Sequence, residues 1–155
     1  MVNQGVAVKT VQVGHIFLPR KNNRIVITGM GIVSSIGNNV AEVTKSLRES
    51  RSGITASSDM TENGFRSRVH GMPSIDVTEH VDKRNLRFMG TGAAYNFIAM
   101  EQAIADSGLE ESDVSNERTG LVMGSGGPST MNLFAAHNIV KEKGAPKRMG
   151  PFMVT

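Results

Sequence analysis

The sequence predicts an α/β fold, a mainly parallel sheet covered by helices. Two short apolar runs, residues 24–28 (RIVIT) and 119–123 (TGLVM), each end at a glycine, as buried strands commonly do. Each leads through a glycine turn into a helical pattern, the order of a strand-to-helix unit in a parallel sheet. Between them lies a long stretch in which Leu86, Met89, Ala93, Phe97, Met100 and Ile104 fall on one helical stripe.

The elements follow in chain order. Residues 1–23 differ from the body. The weakly apolar 11–18 is interrupted by Gln12 and His15, and Pro19 with the basic and amide residues after it breaks the pattern. A secretory signal would place its charges before the apolar run and a small-residue cleavage site after it, and this segment does neither. Residues 1–23 are therefore expected to be a flexible leader. After the first strand, Gly29-Met30-Gly31 turns the chain, and Ser34, Ser35 and Asn38 offer capping oxygens. Val40, Val43 and Leu47 then mark an amphipathic helix, with Gly53 beyond its end.

Residues 54–81 break into short pieces around Asn63-Gly64, Gly71 and Pro73, which predicts loops and a small hairpin near 65–70. The long stripe that follows should be a largely buried helix, with Gly108 at its C-terminal cap. After the second strand come the loop Gly124-Ser125-Gly126-Gly127-Pro128 and a last helix over 129–140.

Composition narrows the chemistry. At 155 residues the chain is one domain or part of a larger one. It would bury roughly two-thirds of its unfolded surface on folding. It contains no cysteine, which removes disulfides, thiolate metal sites and a thiol nucleophile from these residues. No stretch approaches the roughly 18 apolar residues of a membrane span. His15, His70, His80 and His137 lack metal-ligand spacing, so neither a metal nor a cofactor is expected. No Gly-x-Ser-x-Gly elbow is present, which leaves a serine hydrolase without support.

Two glycine motifs remain. Gly29-x-Gly31 sits between a strand and a helix as a dinucleotide turn would, but Ser34 stands where the third glycine belongs. Glycines permitting a tight turn explain it better. The loop 124–127 lacks the Gly-Lys-Ser/Thr ending of a P-loop. Spacing alone leaves open whether it cradles a phosphate or lets two backbones approach. Ten methionines, several of them around this loop, suit either a lipid-facing wall or ordinary core filling.

The formal charge is +3, and the cations cluster. Lys83, Arg84 and Arg87 crowd an expected helix start, where the dipole disfavours positive charge and only Asp82 supplies an acid. A second group comprises Lys141, Lys143, Lys147 and Arg148. Such clusters are ordinarily solvated faces. With one tyrosine, no tryptophan and no recognition motif, nucleic acid is a poor partner.

Residues 24–54, RIVITGMGIVSSIGNNVAEVTKSLRESRSGI, resemble the opening of beta-ketoacyl-acyl-carrier-protein synthases of type I, condensing enzymes of fatty-acid synthesis. The resemblance continues through DKRNLRFM (82–89), MEQAIADSGL (100–109), GLVMGSGGPST (120–130) and MGPFMVT (149–155). Several blocks in one order are far more specific than any single motif. Residues 24–155 are accordingly read as a partial N-terminal beta-ketoacyl synthase domain.

The resemblance implies a thiolase-like fold, layered α-β-α-β-α in the whole family, and a cytoplasmic homodimer acting on acyl and malonyl thioesters of acyl carrier protein. In that family a cysteine takes the acyl group and two histidines assist decarboxylation. Those positions fall beyond the matched blocks, so no catalytic residue is assigned and the 155-residue stretch alone is expected to be inactive. The resemblance further implies that Lys83, Arg84 and Arg87 form a docking patch for the acidic carrier, with Lys147 and Arg148 in a second such region. Gly127 and Leu133 match the region of the acyl pocket and dimer contact, although Leu133 stands where a polar residue is expected. Two rivals remain: a non-catalytic partner resembling chain-length-factor subunits, and a nucleotide-binding domain.

Overall fold

A computed structural model describes residues 25–146 and Met149. The leader expected at 1–23, and Lys147 and Arg148 of the second basic group, lie outside the described residues.

The first helix, α1 (Val40–Arg48), starts where its N–H groups find acceptors. The cap is Asn39, whose side chain accepts from the Glu42 N–H at 2.9 Å. Glu42 in turn accepts from the Asn38 N–H at 2.8 Å and from Asn39 Nδ2 at 2.9 Å. This reciprocal arrangement satisfies donors that the helix leaves orphaned. The expected capping oxygens of Ser34, Ser35 and Asn38 are not used for this purpose. Ser34 instead closes a small loop with Gly37, and the buried Ser46 donates to the Ile36 carbonyl at 2.7 Å.

The sheet among the described residues is antiparallel and two-stranded. β1 (Ile54–Ala56) pairs with β2 (Val69–Gly71), with Thr55 opposite His70. The hairpin expected near 65–70 is therefore wider: β2 pairs back across α2 (Ser58–Glu62). Ser57 organises that connection. It caps α2 by accepting from the Met60 N–H, and its own N–H donates to the Arg68 carbonyl at 2.8 Å.

The long helical stripe is divided. α3 (Lys83–Leu86) ends after one turn, and α4 (Thr91–Ser107) begins at an extended Gly90. Leu86 and Met89 kept the helical period but lie outside α4. A Cβ on Gly90 would come within 2.7 Å of the Ser129 Cβ, so a close approach to the last helix accompanies the break. α4 ends at Gly108 in the left-handed conformation, as expected. The short α5 (Glu111–Val114) follows, and α6 (Thr130–Lys143) starts from its Ser129 cap and stops at a left-handed Gly144.

The two segments expected as strands, around 25–28 and 119–123, form no ladder. Ile25 is 97% exposed and Val122 95% exposed. A strand exists only through a neighbour that pairs its N–H and C=O groups, and none of the described residues provides one. The parallel sheet is accordingly absent among the described residues. The buried apolar side chains are Val43, Val81, Ala94, Ile98 and Ala136, so α4 is covered along a narrower face than its composition suggests. The 3-10 turn Val77–Glu79 packs against α4.

Segment 29–33 also runs along α4. The Met30 N–H donates to Asp106 Oδ2 at 2.9 Å and the Ile32 N–H to Gln102 Oε1 at 3.1 Å. The acceptors are four residues apart, one turn of the same helix face. Gln102 also donates from Nε2 to the Asn38 carbonyl at 2.7 Å.

Candidate functional site

Three of the predicted site cations come together on α3. Asp82 starts this helix, accepting from the Arg84 N–H at 2.7 Å, while the buried Val81 anchors the chain just before it. The Leu86 N–H returns to the Asp82 carbonyl at 3.0 Å. Beyond the single turn, the Phe88 N–H donates to the Asn85 carbonyl at 2.9 Å and the Met89 N–H to that of Leu86 at 3.0 Å. The backbone carrying the cations is thus tied down while Lys83, Arg84 and Arg87 are exposed.

The dipole of so short a helix bears on these cations differently from that of the long helix expected. Arg87 is the C-cap of α3, where positive charge is favourable, and a four-residue helix has little dipole for Lys83 or Arg84 to oppose. What marks the group is the lack of compensation. Among the described residues the ion pair is Arg51 with Glu49, and none of the three α3 cations has a carboxylate partner. Arg87 has a different neighbour: its guanidinium carbon lies 4.8 Å from the ring centroid of Phe88. Sequence reading missed Phe88, although an aromatic residue next to an arginine at a helix end was a usable signal.

A cleft of about 910 Å³ opens between the start of α4 and the glycine loop. Phe97, Met100, Leu121, Met123 and Met131 give it a largely apolar wall, and Gly127 is among the lining residues. Leu133 lies on α6, part exposed, and does not line this cleft. A Cβ at Gly124, Gly126 or Gly127 would meet nothing within 4 Å, so these glycines do not serve close backbone packing among the described residues. The reverse holds at Gly29 and Gly31. Their missing Cβ atoms make room for α4 backbone, which gives the motif a packing purpose in place of a dinucleotide turn.

Among the described residues no three His, Asp or Glu side chains could together hold a metal ion. No helix among them is long and apolar enough to cross a membrane.

A family model described as beta-ketoacyl synthase, N-terminal domain, matches residues 22–155. The chain is 46% identical over 132 residues to 3-oxoacyl-[acyl-carrier-protein] synthase 1 of Haemophilus influenzae, covering 85% of this chain and 32% of that protein. It is 49% identical over 134 residues to the enzyme of the same name from Escherichia coli K12, covering 85% and 33%. Among solved structures it is similar to the ishigamide ketosynthase/chain length factor, with a TM-score of 0.69, 27% identity, and coverage of 83% of this chain and 32% of that one. A beta-ketoacyl synthase from Burkholderia phymatum STM815 gives a TM-score of 0.66 at 26% identity, covering 83% and 32%. The chain therefore spans about a third of the length of these relatives. Their architecture bears out the expected α/β, thiolase-like class in spite of the unpaired strand segments. With a family model spanning 22–155 and relatives near half identical, the chain belongs to the beta-ketoacyl synthase family and corresponds to its N-terminal domain.

Proposed function

We propose that the protein to which this chain belongs is a 3-oxoacyl-acyl-carrier-protein synthase, and that this stretch supplies the docking face for the acidic carrier. The reaction is decarboxylative condensation of a malonyl thioester with an acyl thioester, and its thiol nucleophile lies outside this cysteine-free sequence. The observation that carries the docking role is the exposed trio of Lys83, Arg84 and Arg87 on a tied-down turn, without a carboxylate partner among the described residues. Such a patch attracts and orients an acidic partner. The relatives' names specify an acyl carrier protein as the bearer of their substrate.

Lys147 and Arg148 are assigned to the same docking on the resemblance alone. Gly127 on the cleft wall and the exposed Leu133 on α6 are together assigned to the region of the acyl pocket and dimer contact of a cytoplasmic homodimer. The test is charge reversal. Lys83→Glu, Arg84→Glu and Arg87→Glu together should abolish measurable binding of purified acyl carrier protein, and unchanged affinity would remove the docking assignment.

A second reading, a non-catalytic partner subunit, draws on the likeness to a ketosynthase/chain length factor. The residue at the nucleophile position of the parent protein separates the two. Cysteine there means enzyme, and any other residue means partner.

A further inference from the structure

We propose that Phe88 is a positioning residue of the docking face, and that the unit recognising a carboxylate of the carrier is the Arg87–Phe88 pair and not the Arg87 charge alone. The proposal rests on the docking reading above and extends it to one orientation-determining contact.

The trio is not uniform. Among the three cations, Arg87 is the one whose charge lies over an aromatic ring, 4.8 Å from its centroid. Phe88 is 43% exposed, so the pair sits at the surface where a partner can reach it. Both backbones are restrained. Arg87 closes α3 as its C-cap, and the Phe88 N–H is bonded to the Asn85 carbonyl.

An exposed arginine samples many rotamers, and ordering it on binding weakens affinity. Contact with a ring restricts that sampling beforehand. It also engages the cation through the ring quadrupole and leaves the N–H donors available to a carboxylate. Lysine keeps the charge but not the planar, stacking fork, so Arg87→Lys is not conservative at such a site. Among the described residues Lys83 has no corresponding ring contact.

Ring and charge act together in this account, so their effects should fail to add. The experiment titrates fluorescently labelled acyl carrier protein with the full chain at low salt. The variants are Arg87→Lys, Phe88→Leu, Phe88→Tyr, the Arg87→Lys/Phe88→Leu double, and Arg87→Glu, each with its melting temperature. Arg87→Lys and Phe88→Leu should each weaken binding about two- to fivefold. The double variant should be no weaker than the poorer single, and Phe88→Tyr should bind like the unaltered chain.

Multiplying effects in the double variant, or an unchanged affinity for Phe88→Leu, would overturn the positioning role while leaving the docking reading intact. A loss in Phe88→Leu that tracks a lowered melting temperature and is not rescued by Phe88→Tyr would show a structural role and overturn it equally. Silence of Arg87→Glu would overturn the docking reading, and this proposal with it.

Discussion

Gly31 approaches α4 so closely that a Cβ there would lie 1.8 Å from the Ala99 carbonyl oxygen. The neighbouring Gly29 would meet the Ala103 carbonyl at 2.1 Å. The obstacle is helix backbone, which cannot rotate away as a side chain can. Gly31→Ala should therefore destabilise the chain by about 1–3 kcal/mol. At this size that is a drop of roughly 2–12 °C in melting temperature. Gly126→Ala, whose Cβ would enter open space, should leave it unchanged. Thermal denaturation followed by circular dichroism compares them, and equal melting curves would contradict the packing described.

The caps give a second prediction. Asn39→Ala removes the acceptor for the Glu42 N–H and the donor to Glu42 Oε1. Ser129→Ala removes the acceptor for the Asn132 N–H. Each should cost about 1 kcal/mol, and because α1 and α6 are separate helices the two losses should add. Chemical denaturation of the singles and the double measures this. A neutral Asn39→Ala would show that the capping oxygen is supplied from elsewhere.

How much of this was legible beforehand depends on range. The Gly108 cap and the start of α6 at Ser129 are local, set by residues within one turn, and the sequence is enough to find them. The split at Gly90 was hidden, since Leu86 and Met89 preserve the helical period across it and the Ser129 contact comes from forty residues away. The runs at 25–28 and 119–123 carry strand composition. Strand pairing, however, is a property of two segments, and among the described residues the second is missing. Gly29 and Gly31 read as a turn because their reason, α4, lies some seventy residues along. At the candidate site the charges were visible at once. The Phe88 contact, and the lack of a carboxylate partner for the trio among the described residues, arise from the folded geometry.

A pH effect follows from Asp76. The Thr78 hydroxyl, at 2.7 Å, holds this exposed carboxyl below the usual carboxylate range. The Thr78 N–H, at 2.8 Å, adds to the shift and His80 contributes less. The sign is that of a depressed acid: its contribution to stability is present above the unfolded value and is lost as pH falls through the folded one. Thr78→Val should move the Asp76 titration upward toward its ordinary range. Carboxyl carbon NMR across the acidic range reads this directly, and an unmoved midpoint would assign the shift to another cause.

The absence of cysteine makes a chemical prediction. Incubated with acyl and malonyl thioesters of the carrier, this 155-residue chain should form no acyl-enzyme and no 3-ketoacyl product. Intact-mass spectrometry detects the first and product chromatography the second. A covalent acyl adduct on the chain would mean that another side chain acts as nucleophile.

The docking face is tested most directly by measuring how affinity for acyl carrier protein depends on salt. Exposed cations attract an acidic partner through fields that are screened within about 10 Å at 0.1 M ionic strength. If Lys83, Arg84 and Arg87 do the work, binding should weaken by at least about fivefold between 0.05 and 0.5 M salt, and the triple charge reversal should abolish it. Affinity that is indifferent to salt, or equal in the reversed variant, would contradict the account.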